Sequence, residues 1–248
     1  MKIQYCSDLH LEFTKNAKFL HSNRLIPQAD ILVLAGDIIP LWKNLRNEKY
    51  FDFLSESFKK VYWLPGNHEY YNSDISLKTK EIRDNIHLVN NIVIPIEDVN
   101  LIFSTLWSKI SIQKELFIKS HLSDFSLIRI GDDAFRPKHY NILHQKSLKF
   151  IENSLSTLKV GRNVVITHHV PTLFNYPPEY KDSPLNEAFA VELFDFIEKH
   201  QPEAWIYGHS HINTPEFKIG RTKLLTNQLG YVEYGEHTSF DLNKIIEV

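Results

Sequence analysis

Five short stretches place ligand-capable side chains directly after an apolar run. Asp8 and His10 follow I-Q-Y-C-S (3–7), and Asp37 follows D-I-L-V-L-A-G (30–36). Asn67, His68 and Glu69 follow V-Y-W-L (61–64) and the turn pair Pro65-Gly66. His168 and His169 follow N-V-V-I-T (163–167), and His209 and His211 follow A-W-I-Y (204–207) and Gly208. Such β-branched and aromatic runs, closed by turn residues, read as buried strands. In α/β sheets ligands bind outside the carboxyl ends of the strands, so the five clusters are expected to converge. Carboxylates and imidazoles without thiolates suit Mn, Fe, Zn, Co or Ni rather than a structural zinc site. The set exceeds what one ion needs. Two ions about 3.5–4 Å apart, sharing a carboxylate, form a clamp for in-line displacement at phosphorus.

The spacing needs this context to mean anything. With 13 histidines in 248 residues, chance alone yields about 0.7 H-x-H pairs. The pairs Asp8/His10 and His209/His211 fit convergence if their segments are extended, because alternate residues then project to one side. Gly36, Gly66 and Gly208 remove side-chain bulk where the turns crowd together.

Composition narrows the class. The length suits one large α/β domain over 1–248, and 43% hydrophobic with 23% charged residues is the balance of a soluble protein with a sizeable core. A net charge of −2 offers no overall positive field for nucleic acid or acidic membranes. The single Cys6 excludes an intramolecular disulfide and fits a reducing compartment. Asp8 and His10 interrupt the N-terminus before a signal-peptide core develops, and no apolar stretch is long enough to span a bilayer. A cytoplasmic location is the expectation.

Between the strands lie segments of helical period. Tyr50, Phe51, Phe53, Leu54 and Phe58 form one face of a helix over 47–60. Helices are also expected near 74–84, over 138–158 and over 185–200. Short strands are expected near 86–94 and 100–105, with a hairpin over 216–226 turning at Gly220. Residues 106–137 fit no regular pattern and read as an irregular insertion that borders the site.

The series Asp8-Leu-His10, Gly36-Asp37, Gly66-Asn67-His68-Glu69, Thr167-His168-His169 and Gly208-His209-Ser210-His211 closely resembles the motifs of the calcineurin-like metallophosphoesterases, in family order. The resemblance implies a four-layer α/β/β/α fold, with two packed mixed sheets flanked by helices. It implies one metal held by Asp8, His10, Asp37 and His211. A second would be held by Asp37, Asn67, His168 and His209, with Asp37 bridging. His68 would be the proton donor and Glu69 would orient it. The implied reaction is hydrolysis of a phosphodiester or phosphomonoester by a metal-bridging hydroxide, on a small substrate with nucleotides among the candidates.

Other residues have two readings. His169, Tyr70, Tyr71, Trp107 and Arg129 are candidates for substrate contact, against plain packing for the histidine and the aromatic residues; Asp124 and Arg129, in the insertion, could cap the site. A binding scaffold of the same fold is the alternative to an enzyme, although such proteins lack the catalytic histidine. A nuclease is a further alternative, which the net charge disfavours.

Overall fold

The computed structural model describes residues 1–77, 82–158 and 160–248. The chain opens with β1 (Lys2–Cys6), α1 (Thr14–Ser22), β2 (Ile31–Ala35), α2 (Lys49–Ser57) and β3 (Lys60–Leu64). Next come β4 (Ser73–Asp74), β5 (Ile86–Leu88), β6 (Ile92–Ile96) and β7 (Val99–Phe103). Then follow α3 (Glu115–His121), α4 (Asp124–Leu127), β8 (Ile128–Ile130), β9 (Asp133–Ala134) and α5 (Pro137–Thr157). The last part holds β10 (Arg162–Ile166), α6 (Asn186–Phe189), α7 (Phe194–His200) and β11 (Ala204–Tyr207). It ends with β12 (Phe217–Ile219), β13 (Thr222–Thr226) and β14 (Ile245–Glu247).

Two main sheets carry the site. One has the order β14-β1-β2-β3-β5 and the other β12-β13-β11-β10-β7-β6. The inner strands β1-β2-β3-β5 and β13-β11-β10-β7 run parallel, while β14, β12 and β6 are antiparallel edges. Side-chain alternation explains the layering. Ile3, Tyr5, Val33 and Leu64 from one sheet meet Leu101, Phe103, Val164 and Ile206 from the other in one buried cluster. The opposite faces of the same strands, through Leu32, Leu34 and Trp63, pack with Tyr50, Phe51 and Leu54 of α2. Val165 and Trp205 pack with Ile151 of α5 and Ile197 of α7. Strands covered on both faces are apolar throughout, as I-L-V-L-A is. The result is the expected four-layer arrangement of helix, sheet, sheet and helix.

Helix α5 shows how pattern becomes packing. Pro137 opens it, and Tyr140, His144, Ser147, Ile151 and Ser154 form its buried stripe. Pro suits that first turn because its missing N–H would have had no helical partner.

Four expectations change. The helix near 74–84 is not formed at its start: Ser73–Asp74 pairs as a strand with β8, and residues 78–81 lie outside the described residues. The strand near 86–94 divides into β5 and β6, which belong to different sheets. The helix over 185–200 is broken at 190–193, where the Val191 and Leu193 N–H groups donate to the carbonyls of Val170 and Pro171, both at 3.0 Å. The insertion 106–137 contains α3, α4 and the strands β8 and β9. No helix among the described residues is long and apolar enough to cross a membrane.

Candidate metal centre

The strand-end loops of β1, β2, β3, β10 and β11 meet at one end of the sandwich. Two groups of ligand atoms converge there: Asp8, His10, Asp37 and His211 in one, and Asp37, His168 and His209 in the other. His10 Nε2 and His211 Nε2 lie 3.0 Å apart, as do His168 Nε2 and His209 Nδ1. Asp37 Oδ2 sits between the pairs, 3.4 Å from His168 Nε2 and 3.9 Å from His10 Nε2. Asn67 Oδ1 joins the second group, 3.2 Å from His168 Nε2.

Convergence is achieved by a different backbone from the extended one expected. Asp8, His10, Asp37, His209 and His211 all have positive φ, between 48° and 75°. These five of the seven candidate ligands occupy the left-handed region, which disfavours residues carrying a Cβ. Each such residue costs on the order of 1–3 kcal/mol and persists only where its surroundings fix it. Here the fixing is by hydrogen bonds between loops. Asp8 N–H donates to Gly36 O at 2.9 Å, His10 N–H to Asp37 O at 3.0 Å, and His211 N–H to Gln228 Oε1 at 2.7 Å. A Cβ at Gly66 would overlap Asp37 Oδ1 and come within 2.6 Å of His168 Nε2, so this turn needs glycine.

Second partners aim the imidazoles. His168 Nδ1–H donates to Ala35 O at 2.9 Å, His10 Nδ1–H to Glu12 Oε1 at 3.1 Å, and His211 Nδ1–H to Glu236 Oε2 at 2.8 Å. Each bond leaves an Nε2 lone pair facing inward, the arrangement that orients metal-ligating histidines. The His209 ring is held between His169, at 4.2 Å, and Phe189, stacked at 4.6 Å.

The electrostatics also call for cations. Burial pushes the Asp37 carboxyl up, but His168 and the nearby imidazoles outweigh it and hold it well below the usual carboxylate value. Burial pushes His168 down, yet Asp37 overrides this and raises it to about 10, a proton at Nε2 standing where a cation would take the lone pair. Burial and its neighbours His169 and His168 hold His209 well below 6.5, neutral and able to donate a lone pair. Buried carboxylates facing inward lone pairs fit divalent cations.

His68 stands beside this cluster, and its partner is not Glu69. Its Nδ1 lies 2.9 Å from Glu12 Oε1, and its ring stacks on Tyr71 with centroids 4.0 Å apart. Its backbone N–H donates to Asp37 Oδ1 at 2.9 Å. Burial lowers its pKa, but Asp37 and Glu12 reverse this and raise it to about 9. Glu69 is instead a buried knot between loops. It accepts from the N–H groups of Asp37, Ile38 and Gly66 and from Trp63 Nε1, at 2.7–3.0 Å.

A cleft of about 350 Å³ opens onto Asp37, Asn67, His68, His209 and His211. Its walls come from His121–Ser123 of the insertion, from Tyr176–Phe189 and from Tyr231 and Glu236. Of the five candidate substrate contacts, Tyr71 lines it and the other four do not. Tyr70 and Trp107 are buried in the aromatic core, 6.4 Å apart by ring centroids. His169 is fully buried, with Nδ1–H donating to Thr105 O and Nε2 2.7 Å from the Tyr140 hydroxyl. Arg129 is exposed on β8, outside the cleft.

Glu12 was missed in the sequence, and Asp124, expected as a cap of the site, has a different place. Glu12 extends Asp8-x-His10 by one more alternate step, a signal that could have singled it out. Asp124 in the insertion is fully buried and accepts from Asn67 Nδ2 at 2.9 Å and the Tyr71 hydroxyl at 2.7 Å. Rather than capping the cleft, it thereby turns Asn67 Oδ1 toward His168.

A model of the calcineurin-like phosphoesterase family matches residues 1–213. An uncharacterized protein of Acanthamoeba polyphaga mimivirus is 35% identical over 261 residues, spanning 92% of this chain and 91% of that protein. The solved phosphopantetheinyl hydrolase of Mycobacterium tuberculosis is similar in fold, with a TM-score of 0.71 at 16% identity, covering 99% of this chain and 95% of that one. The convergent strand-end motifs and the family match lead to one conclusion: the chain belongs to the calcineurin-like phosphoesterase family, hydrolases that act on phosphoester bonds.

Proposed function

We propose that this protein is a dinuclear metal-dependent phosphoesterase that hydrolyses a small phosphodiester or phosphomonoester. The observation that carries the reading is the position of Asp37 Oδ2 between two imidazole pairs, with His68 alongside. Asp8, His10, Asp37 and His211 would hold one divalent ion, and Asp37, Asn67, His168 and His209 the other. Bound ions would supply charge to offset the phosphoryl oxygens and would lower the pKa of water for in-line attack.

The chain's own residues then do three things. Asp37 shares its carboxylate between the two groups and fixes the His68 backbone through its N–H. His68, raised to about 9, is protonated at neutral pH and can pass a proton to the departing oxygen. Glu12 and Tyr71 hold the His68 ring, which turns its Nε2 edge away from Glu12 and leaves it for that transfer.

A panel of phosphoesters assayed with Mn, Fe, Zn, Co and Ni, alongside metal content by mass spectrometry, tests the reading. Likeness in fold to a phosphopantetheinyl hydrolase puts a phosphopantetheinyl ester in that panel. Metal-dependent turnover with two ions per chain is expected. A protein that binds two ions and turns over no ester would be a scaffold instead.

A further inference from the structure

The cleft beside the metal groups has an unusual balance for a site that handles phosphate. Among the described residues, no lysine or arginine lines it. Its carboxylates are Asp37, which belongs to the metal groups, and Glu236, which accepts from His211 Nδ1–H at 2.8 Å and from the Tyr231 N–H at 2.6 Å.

Away from the metals the walls are aromatic and aliphatic. Tyr176, Tyr180, Leu185 and Phe189 form one side and Leu122 the other, all half-buried. Three of the polar side chains here are engaged within the protein. Asn186 Nδ2 donates to the carbonyls of Tyr180 and Lys181 at 2.6 and 3.0 Å, and Ser183 Oγ accepts from Leu185 N–H at 3.3 Å. His121 lies on Phe117 with centroids 4.1 Å apart and donates Nδ1–H to the Phe117 carbonyl at 2.8 Å.

Resting on the phosphoesterase reading, we propose that this cleft takes the uncharged, largely apolar organic group of an ester containing a single phosphate. The metal groups would handle the one phosphoryl charge. A second phosphate, or the continuing backbone of a nucleic acid, would lie against tyrosine rings and Glu236 with no cation to meet it. Desolvating an unpaired anion there is unfavourable, whereas an alkyl or amide chain gains by burial. A volume of about 350 Å³ suits one small organic group and falls near the lower end for ligand pockets.

Alkyl p-nitrophenyl phosphates test the idea: methyl, butyl and hexyl esters, and a hexyl ester carrying a terminal phosphate. Water adds at phosphorus, the P–O bond to the nitrophenol breaks, and nitrophenolate is released, its proton remaining with solvent. KM should fall with chain length by up to roughly a factor of four per buried methylene. The terminal phosphate should raise KM at least tenfold over the plain hexyl ester. Leu185→Arg, or Tyr180→Lys at a second place on the same wall, should erase that penalty, bringing KM for the phosphate-bearing ester to or below that of the plain hexyl ester.

Turnover of the methyl ester with no dependence on chain length, or with equal or better KM for the terminal phosphate, overturns the inference alone. Failure to turn over the methyl ester with any of the metals overturns the phosphoesterase reading, and the inference falls with it.

Discussion

Glu12 Oε1 accepts from two imidazoles at once, His68 Nδ1 at 2.9 Å and His10 Nδ1 at 3.1 Å, so a single carboxylate ties the proposed proton donor to a proposed metal ligand. Burial would raise the pKa of Glu12, but its bonds to these two histidines outweigh it and hold it at about 2. The carboxylate is therefore a fixed negative charge behind both rings.

That geometry separates the effects of two variants. His68 is not a proposed ligand, so His68→Ala should keep two metals and stay folded. It should lose about 10²–10⁴ in rate on alkyl esters and far less on nitrophenyl esters, because nitrophenolate leaves without a donor. Glu12→Ala should show the same leaving-group dependence in weaker form. It should also weaken metal retention by about 10–100-fold through the freed His10 ring. Rates on the two ester types and metal content by mass spectrometry decide both. Equal losses of His68→Ala on the two esters would mean that His68 positions the phosphoryl group rather than donating a proton.

Asp37 serves both metal groups, whereas His211 serves one. Asp37→Asn should lose both ions or leave a mixed, weakly held pair, and His211→Ala should lose chiefly one. Two tightly held ions in purified Asp37→Asn would remove the bridging assignment.

Much of this was legible because buried strands write themselves plainly. The runs I-L-V-L-A and A-W-I-Y are apolar on both faces, so the residues after them, Asp37 and His209, had to stand at strand ends. The left-handed backbone at Asp8, His10, Asp37, His209 and His211 was not legible. Local propensity favours extended or helical conformations for these residues, and the loop-to-loop bonds that override it join residues as far apart as His209 and Asp8. Glu69 misled for a related reason. The resemblance implied that it orients His68, but the 3₁₀ turn over His68–Tyr70 sends Glu69 inward to Trp63 and the β2 loop. The cleft walls were hidden because Tyr176, Tyr180 and Glu236 come from loops and single turns, where no period links sequence to position.

Asp124 holds Asn67 by its amide nitrogen, and that fixes which amide atom faces the metals. Asp124→Ala removes the acceptor from Asn67 Nδ2 and the Tyr71 hydroxyl together. The freed amide can rotate, so occupancy of the group containing Asn67, His168 and His209 should fall by about 10–100-fold in affinity. The group containing His10 and His211 should be spared. Asp124→Asn tests the same point more gently, because one amide can still accept from another. Unchanged metal content in Asp124→Ala would limit Asp124 to packing.

Glu187 couples the insertion to the opposite wall of the cleft, and that coupling should depend on pH. Its Oε2 accepts from Ser111 N–H at 2.7 Å, its Oε1 lies 3.5 Å from Lys114 Nζ, and its carbonyl accepts from Ser108 Oγ at 2.7 Å. Partial burial pushes the Glu187 carboxyl up, but the Ser111 bonds and the Lys114 charge outweigh it, so its folded value lies below 4.5. A carboxylate lowered by folding contributes its full stabilisation above the unfolded value, near 4.5, and loses it as pH falls through the lower folded value. Amide exchange over residues 108–118 should therefore quicken as pH drops below about 4.5, after correction for the intrinsic pH dependence of exchange. The Glu187 side chain is 29% exposed and its Lys114 partner 43%, so added salt should shrink the effect. Glu187→Gln keeps an acceptor for Ser111 but cannot titrate, and its exchange over these residues should lose that pH dependence. The same acid-driven loosening in Glu187→Gln and the unsubstituted protein would place the sensitive group elsewhere in the insertion.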